Sequence, residues 1–507
     1  QLYRWTVAEW LDGDPAQPAP PAARRAAGAR DTAWRHLSLA DVICMPDEWE
    51  YPWFAAWDLA FHCVTLAHVD PAAAKEQLLL LCREWAMHPD GQLPAYEWSL
   101  GDVNPPVHAW AAWQVYRIDG GRDHDFLARV FGKLLLNFGW WVNRKDADGS
   151  NLFEGGFLGM DNIGLFDRSA PLPPGWRLEE SDATSWMASY CLTMLTIAVE
   201  LAATDVSWDS MATKFLEHFL GIAHAMSRFG SQDVTLWDEQ DGFCYDVLVH
   251  ADGSTQRLAV RSMVGLLPIL GVAQAPAWTA TALPDFTERL RWLKRRRPDL
   301  LDGLLQANAP HGADPGDEAG SDALFALLDP ERLVRVLSRM FDEDEFFAPH
   351  GVRSLSRAYV TPYTADIDGH SDSIDYEPGE SRTGLFGGNS NWRGPIWFPV
   401  NVLLGDALRT YGAYLGDSVT VEVPARSGRQ LTLTEAADVL DSRLVDLFRA
   451  GPDGVRPSDG RRIEASDNPL WRAHLTFSEY FDGDTGEGLG ATHQTGWTAL
   501  VAHLLCR

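Results

Sequence analysis

Residues 393–411 read RGPIWFPVNVLLGDALRTY. A Gly-Pro loop runs into a helix start, with Pro399 just inside it, and then into a stretch that is apolar on nearly every face. A helix of that composition has to be buried all round. The same texture opens at 51–69 (YPWFAAWDLAFHCVTLAHV), 104–118 (NPPVHAWAAWQVYRI), 181–201 (SDATSWMASYCLTMLTIAVEL) and 493–505 (HQTGWTALVAHLL). Between these lie helices of a second kind at 72–86, 125–144, 210–229 and 432–450, whose apolar residues recur at three and four beside a charged face. Strand signals are short and few, mainly at 243–253 and 419–433. Buried helices alternating with amphipathic ones predict an all-α toroid, an inner ring inside an outer ring, with the polar aromatic loops crowded at one mouth. A solenoid is the rival, but no fixed repeat period is present.

The chain ends fit this plan less simply. Residues 2–11 (LYRWTVAEWL) read as one short amphipathic helix, and 12–30, rich in Pro, Ala and Arg, as an extended linker. Residues 1–45 therefore form an N-terminal helix and linker, and the toroid fills 46–507. Residues 280–345, with LKRRRPDLLDG and a Gly, Asp and Pro stretch, break the pattern and read as a decorating insertion.

The 507 residues carry 71 Asp plus Glu against 42 Lys plus Arg, a net charge of −29. That excess argues against nucleic acid and against an anionic membrane surface as partners. No membrane span is expected, the longest apolar run (263–277) being short and broken by two prolines. The six cysteines have no metal spacing and suit a reduced, cytoplasmic setting. The sequence opens at Gln1 without a signal-peptide pattern, and the native N-terminus is left open upstream. The 22 Trp are the strongest compositional signal. Trp faces stack on flat apolar surfaces and carboxylates bind hydroxyls, and sugars offer both.

Five loops hold more chemistry than helix connection needs. Trp49–Asp58 supplies Trp53, Trp57 and Asp58, a place to stack a sugar face and accept its hydroxyls. Gly91–Trp98 with Asn104–Trp110 supplies Gln92, Tyr96 and His108. Gly155–Arg168 (GGFLGMDNIGLFDR) places Asp161 among glycines and apolar neighbours, where a carboxyl can stay protonated as a general acid requires, or can simply close an Asx-turn with Asn162, which follows it. Gly387–Asn401 offers Trp392, Arg393, Trp397 and Asn401. Phe477–Trp497 offers Glu479 as a carboxylate that activates water, with Glu487 as competitor. A serine elbow, an HExxH helix and EF-hand spacing are all absent, and no metal or cofactor is expected.

WEYPWFAAWD, GMDN, NWRGPIW and EYFDGDTGEG followed by HQTGW occur here in the order seen in glycoside hydrolase family 63. Over residues 34–507 the chain resembles that family of processing α-glucosidase I and its bacterial relatives, and more distantly the family 37 trehalases. The resemblance implies an (α/α)6 barrel and an inverting exo-α-glycosidase that releases a terminal α-glucosyl residue, without a cofactor. It implies Asp161 as general acid, Glu479 as general base, Trp57 and Asp58 as holders of the terminal sugar, and Trp392, Arg393 and Trp397 as pocket wall. Inversion requires the two carboxyls about 6.5–9.5 Å apart. Alternatives are a hydrolase of glucosylglycerate or mannosylglycerate, which needs an Arg such as Arg168 or Arg393 for the carboxylate, and a non-catalytic sugar-binding toroid. The N-terminal β-rich region of many relatives is missing here, as in a fragment or a pared-down member.

Overall fold

The computed structural model describes residues 2–26, 32, 35, 37–47, 54–96, 100–146, 149–156, 158–168, 170–227, 235–301, 322–367, 369–382, 384, 390–452, 454–460 and 469–507. At the N-terminus the expected single helix divides. Leu2–Thr6 is a strand (β1) that pairs antiparallel with Ser38–Val42 (β2), and only Val7–Asp12 (α1) is helical. The aromatic residues Tyr3 and Trp5 alternate with polar ones along β1, a period of two that the amphipathic-helix reading overlooked.

The helical body then runs α2 (Ala56–Ala67), α3 (Pro71–Leu80), α4 (His108–Ile118), α5 (His124–Arg144), α6 (Ser181–Ala202), α7 (Asp209–Ser227), α8 (Pro284–Arg296), α9 (Pro330–Met340), α10 (Phe398–Leu415), α11 (Leu433–Asp446), α12 (Thr495–Thr498) and α13 (Leu500–Leu505). The aromatic helices form a closed circuit. α2 packs on α4, α4 on α6, α6 on the short turn Leu267–Leu270, that turn on α10, α10 on α12 and α13, and these two back on α2. The amphipathic helices lie against them: α3 on α2 and α4, α5 on α4 and α6, α7 on α6, α11 on α10 and α13. α8 packs on α7, and Ala323–Ala326 pairs with Val272–Ala275 at the edge of the body. The Gly, Asp and Pro stretch at 302–321 lies outside the described residues.

α6 is long and apolar enough to cross a bilayer by length and composition, although Ser, Thr and Tyr interrupt its apolar run. Most of it is buried within the protein, between α4, α5 and α7, so its apolarity is that of a core helix.

Several of the amphipathic helices carry side-chain caps. Asp70 caps α3, Asp123 caps α5, Asp329 caps α9, and Thr432 with Glu435 closes a capping box on α11. Each such cap contributes about 1 kcal/mol. α2, α4, α6 and α10 have no side-chain cap.

Candidate functional site

The site is built from loops that enter α2, α6, α10 and α12. The loop before α6 carries Asp161. Gly159 in that loop has φ +68°, and a Cβ there would stand 2.6 Å from Cζ2 of Trp57. A glycine is therefore what lets the backbone lie flush on the Trp57 ring. Asp161 follows two residues later. Burial pushes its pKa up to about 6, and a hydrogen bond from Ser390 pulls the other way.

Asn162 and Arg393 fasten this loop to the segment before α10. Asn162 Oδ1 accepts from Trp392 N at 2.7 Å, and its Nδ2 donates to Asn391 Oδ1 at 3.0 Å and to Ser381 Oγ at 3.3 Å. Arg393 donates from Nε to the Asn162 carbonyl at 2.7 Å and from Nη2 to the Gly164 carbonyl at 3.0 Å. Both side chains are buried, and these bonds go to protein backbone, amides and the Ser381 hydroxyl.

The same segment reaches the candidate base through aromatic rings. Trp392 and Trp397 stack at 3.9 Å with 5° between their planes, and Trp397 stacks on Tyr480 at 4.9 Å. Trp57 faces Trp392 at 6.2 Å and meets Trp497 edge-on at 4.6 Å. Pairs of this kind contribute about 0.5–1.5 kcal/mol each beyond area burial. Trp392 and Trp397 are 1% and 2% exposed, so they form the backing of the wall, with their faces given to each other and to Tyr480.

Glu479 precedes the hairpin of Tyr480–Phe481 with Gly488–Leu489. It is buried, and its Oε2 accepts from Ala491 N at 3.0 Å. Gly490 has φ +69°, and a Cβ there would stand 2.5 Å from Glu479 Oε2. Gly490→Ala is expected to displace this carboxylate and lower kcat on the order of 10- to 100-fold with a smaller change in KM; steady-state kinetics on a variant of native circular dichroism checks it. Glu487 instead lies against Gly460, where an added Cβ would overlap its side chain.

Asp58, in the first turn of α2, is buried, and its Oδ1 accepts from Gln494 Nε2 at 3.2 Å. Burial raises its pKa to about 8, so it carries a proton at neutral pH. Gln494 stands just before α12 and closes the circuit from the base segment back to Trp57 and Asp58. It belongs to the HQTGW motif. Nothing local in the sequence marks its partner, which is 436 positions away.

Other expected residues are placed differently. Gln92 donates to the Leu100 carbonyl at 3.1 Å and so ties down its own loop. His108 Nε2 meets the Leu78 carbonyl at 3.0 Å, and burial lowers its pKa to about 4. His108 does border, with Trp57, a small cavity at the start of α4. Arg168 is buried in an ion pair with Asp182 at 2.9 Å and lies 3.9 Å from Asp246. Beside it Glu180 accepts from the N–H groups of Gly155 and Gly156, at the entrance of the Asp161 loop. Trp53 lies outside the described residues.

Residues 51–289 and 321–498 match the model of the mannosylglycerate hydrolase MGH1-like glycoside hydrolase domain. The chain belongs to the MGH1-like glycoside hydrolases of family 63. Among curated proteins it is 46% identical over 99% of its length to an uncharacterized protein of Saccharomyces cerevisiae, of which it spans 47%. It is 27% identical over 35% of its length to the mannosyl-oligosaccharide glucosidase of that yeast, spanning 15% of it. A probable mannosyl-oligosaccharide glucosidase of Schizosaccharomyces pombe is 26% identical over 75% of the chain, which spans 34% of that protein. The chain thus spans less than half the length of each of these relatives. Among solved structures, the family 63 mannosylglycerate hydrolase of Thermus thermophilus in complex with glucose superposes with a TM-score of 0.51 at 17% identity, over 92% of this chain and 96% of that one. That likeness, at so low an identity, is one of fold. Family 63 membership agrees with the resemblance carried by the GMDN, NWRGPIW and EYFDGDTGEG motifs.

Proposed function

We propose that this chain is an inverting exo-α-glycosidase that removes a terminal α-glucosyl residue, built on an (α/α)6 barrel. The observation that carries the reading is the circuit of contacts joining the Asp161 loop, the Trp392–Trp397 stack, Tyr480 beside Glu479, and the Gln494–Asp58 pair. The closed succession of inner helices supports the barrel.

In this reading the terminal sugar rests against Trp57 with hydroxyls on Asp58. Asp161 donates its proton to the glycosidic oxygen as the bond to the anomeric carbon breaks. Glu479 takes a proton from a water that attacks the opposite face of the same carbon. A carboxyl held at about 6 retains a proton to give near neutral pH, as general acid work requires. A protonated Asp58 both donates to and accepts from sugar hydroxyls.

A hydrolysis screen over neutral α-glucosides and glycosylglycerates tests the activity, and proton NMR of the first anomer released tests inversion: β-glucose from an α-glucoside. The first-formed α anomer would overturn inversion. The pH profile gives a second check. The pKa of Asp161 is raised, so the protonated form is present below it, and kcat/KM is expected to fall tenfold per pH unit above about 6. A profile flat from pH 6 to 8 would remove Asp161 from the acid role. The family's mannosylglycerate name favours a glycosylglycerate as the second reading.

A further inference from the structure

Glu380 stands where the two candidate catalytic segments meet solvent. Its Oε2 accepts from the hydroxyl of Tyr480, the neighbour of Glu479, at 2.7 Å. Its Oε1 accepts from Gly490 N at 3.4 Å, and Gly490 is packed on the Glu479 carboxylate. The next residue, Ser381, accepts from Asn162, the neighbour of Asp161, at 3.3 Å. Asn391 anchors the loop from behind by donating to the carbonyls of Glu377 and Gly379. One short segment thus bridges the acid loop and the base hairpin. Glu380 is exposed while the tryptophan wall is buried. In the glycosidase reading proposed above the terminal sugar rests on the aromatic side, which leaves the bridge to the leaving group.

The charge there is negative. Among the described residues no Lys or Arg pairs with Glu380. Arg382 is held by Asp375 at 2.9 Å and Glu377 at 3.2 Å. Arg353 is held by Asp484 at 3.2 Å, Arg168 by Asp182, and Arg393 by backbone carbonyls. Each of these cations is already engaged.

We infer that Glu380 selects the aglycone, admitting a neutral, hydroxyl-bearing leaving group and repelling an anionic one such as glycerate. The inference rests on the glycosidase reading and names the substrate class of that site. A carboxylate at the rim accepts hydrogen bonds from a sugar or polyol, whereas a second carboxylate meets it as a like charge.

The test compares a glycosylglycerol with the matching glycosylglycerate, identical except for CH2OH against COO−, on whichever glycone the hydrolysis screen selects. The wild-type chain is expected to prefer the glycerol compound. Glu380→Gln, which keeps the acceptor and removes the charge, is expected to raise relative kcat/KM for the glycerate compound about fivefold, the scale of repulsion between unit charges about 6 Å apart in a largely aqueous rim. Most of the change is expected in KM. Added salt is expected to narrow the wild-type preference and to affect Glu380→Gln less, which loss of a structural contact would not produce. Tyr480→Phe, which frees the carboxylate but keeps its charge, is expected to lower kcat on both compounds and leave the glycerol preference. Turnover of both compounds with an unmoved ratio in Glu380→Gln, or a wild-type preference for the glycerate compound, overturns the role of Glu380 alone. No turnover of either compound overturns the glycosidase reading, and this inference with it.

Discussion

Asp161→Asn is expected to lower kcat on a neutral α-glucoside by about 10²–10⁴-fold, the usual contribution of one proton-transfer group, and Glu479→Gln by a similar factor. Sugar binding, measured by calorimetry with the released monosaccharide, is expected to stay within a few fold of wild type in both. The reason lies in what each side chain holds. Asp161 is placed by Gly159 on Trp57 and by Asn162 on Trp392, contacts that Asn at 161 leaves in place. Glu479 Oε2 accepts from Ala491 N, and Gln retains an acceptor there. The two variants also differ in pH response: the fall in kcat/KM above about 6 is expected to persist in Glu479→Gln and to vanish in Asp161→Asn. Full activity in either variant would end the acid and base assignment. Loss of sugar binding together with turnover would point instead to a site collapsed by the substitution.

The largest effect on stability is expected at Arg168. Its side chain is 5% exposed and pairs with Asp182, which is fully buried, with Glu180 and Asp246 close by. Removing one partner of a buried charge cluster typically costs about 3–5 kcal/mol, because the remaining charges lose their counterion. Arg168→Met is therefore expected to lose that much in denaturant unfolding at pH 7.5. The carboxylates left behind regain stability on protonation, so the deficit is expected to shrink as pH falls toward 5. A cost below about 1 kcal/mol, the range of exposed ion pairs, would refute the cluster's role. Because Glu180 also accepts from Gly155 and Gly156, the same substitution is expected to loosen the Asp161 loop and lower kcat.

The helical body is readable because its signals are local. Pro399, the run of apolar residues behind it and the loop before it announce a buried helix from a single window, and the capping of α3 by Asp70 is equally short-ranged. Asp161 and Glu479 were reached through the motifs around them. What the sequence hid was pairing. His108 and Gln92 have the right chemistry for a sugar, yet their polar atoms go to the carbonyls of Leu78 and Leu100. Arg393, expected in the pocket wall, also fastens Asn162 and Gly164. Glu380 went unremarked because its importance comes from Tyr480 and Gly490, about a hundred positions on. No periodicity of two or 3.6 encodes such contacts. The strand at Leu2–Thr6 differs: its alternation is local, but it is short and its partner lies beyond the Pro-rich stretch.

The bond from Gln494 to Asp58 sets when a nascent chain acquires its pocket. Early helices can pair with their sequence neighbours as they leave the ribosome, but this contact waits for almost the whole span to be translated. Loop-closure entropy over such a separation has to be met before the ring rewards it, so the seam between first and last inner helices is the slow, late step of folding. Until then the tryptophans that back the wall are expected to stay uncovered, apolar surface of the kind that chaperones bind.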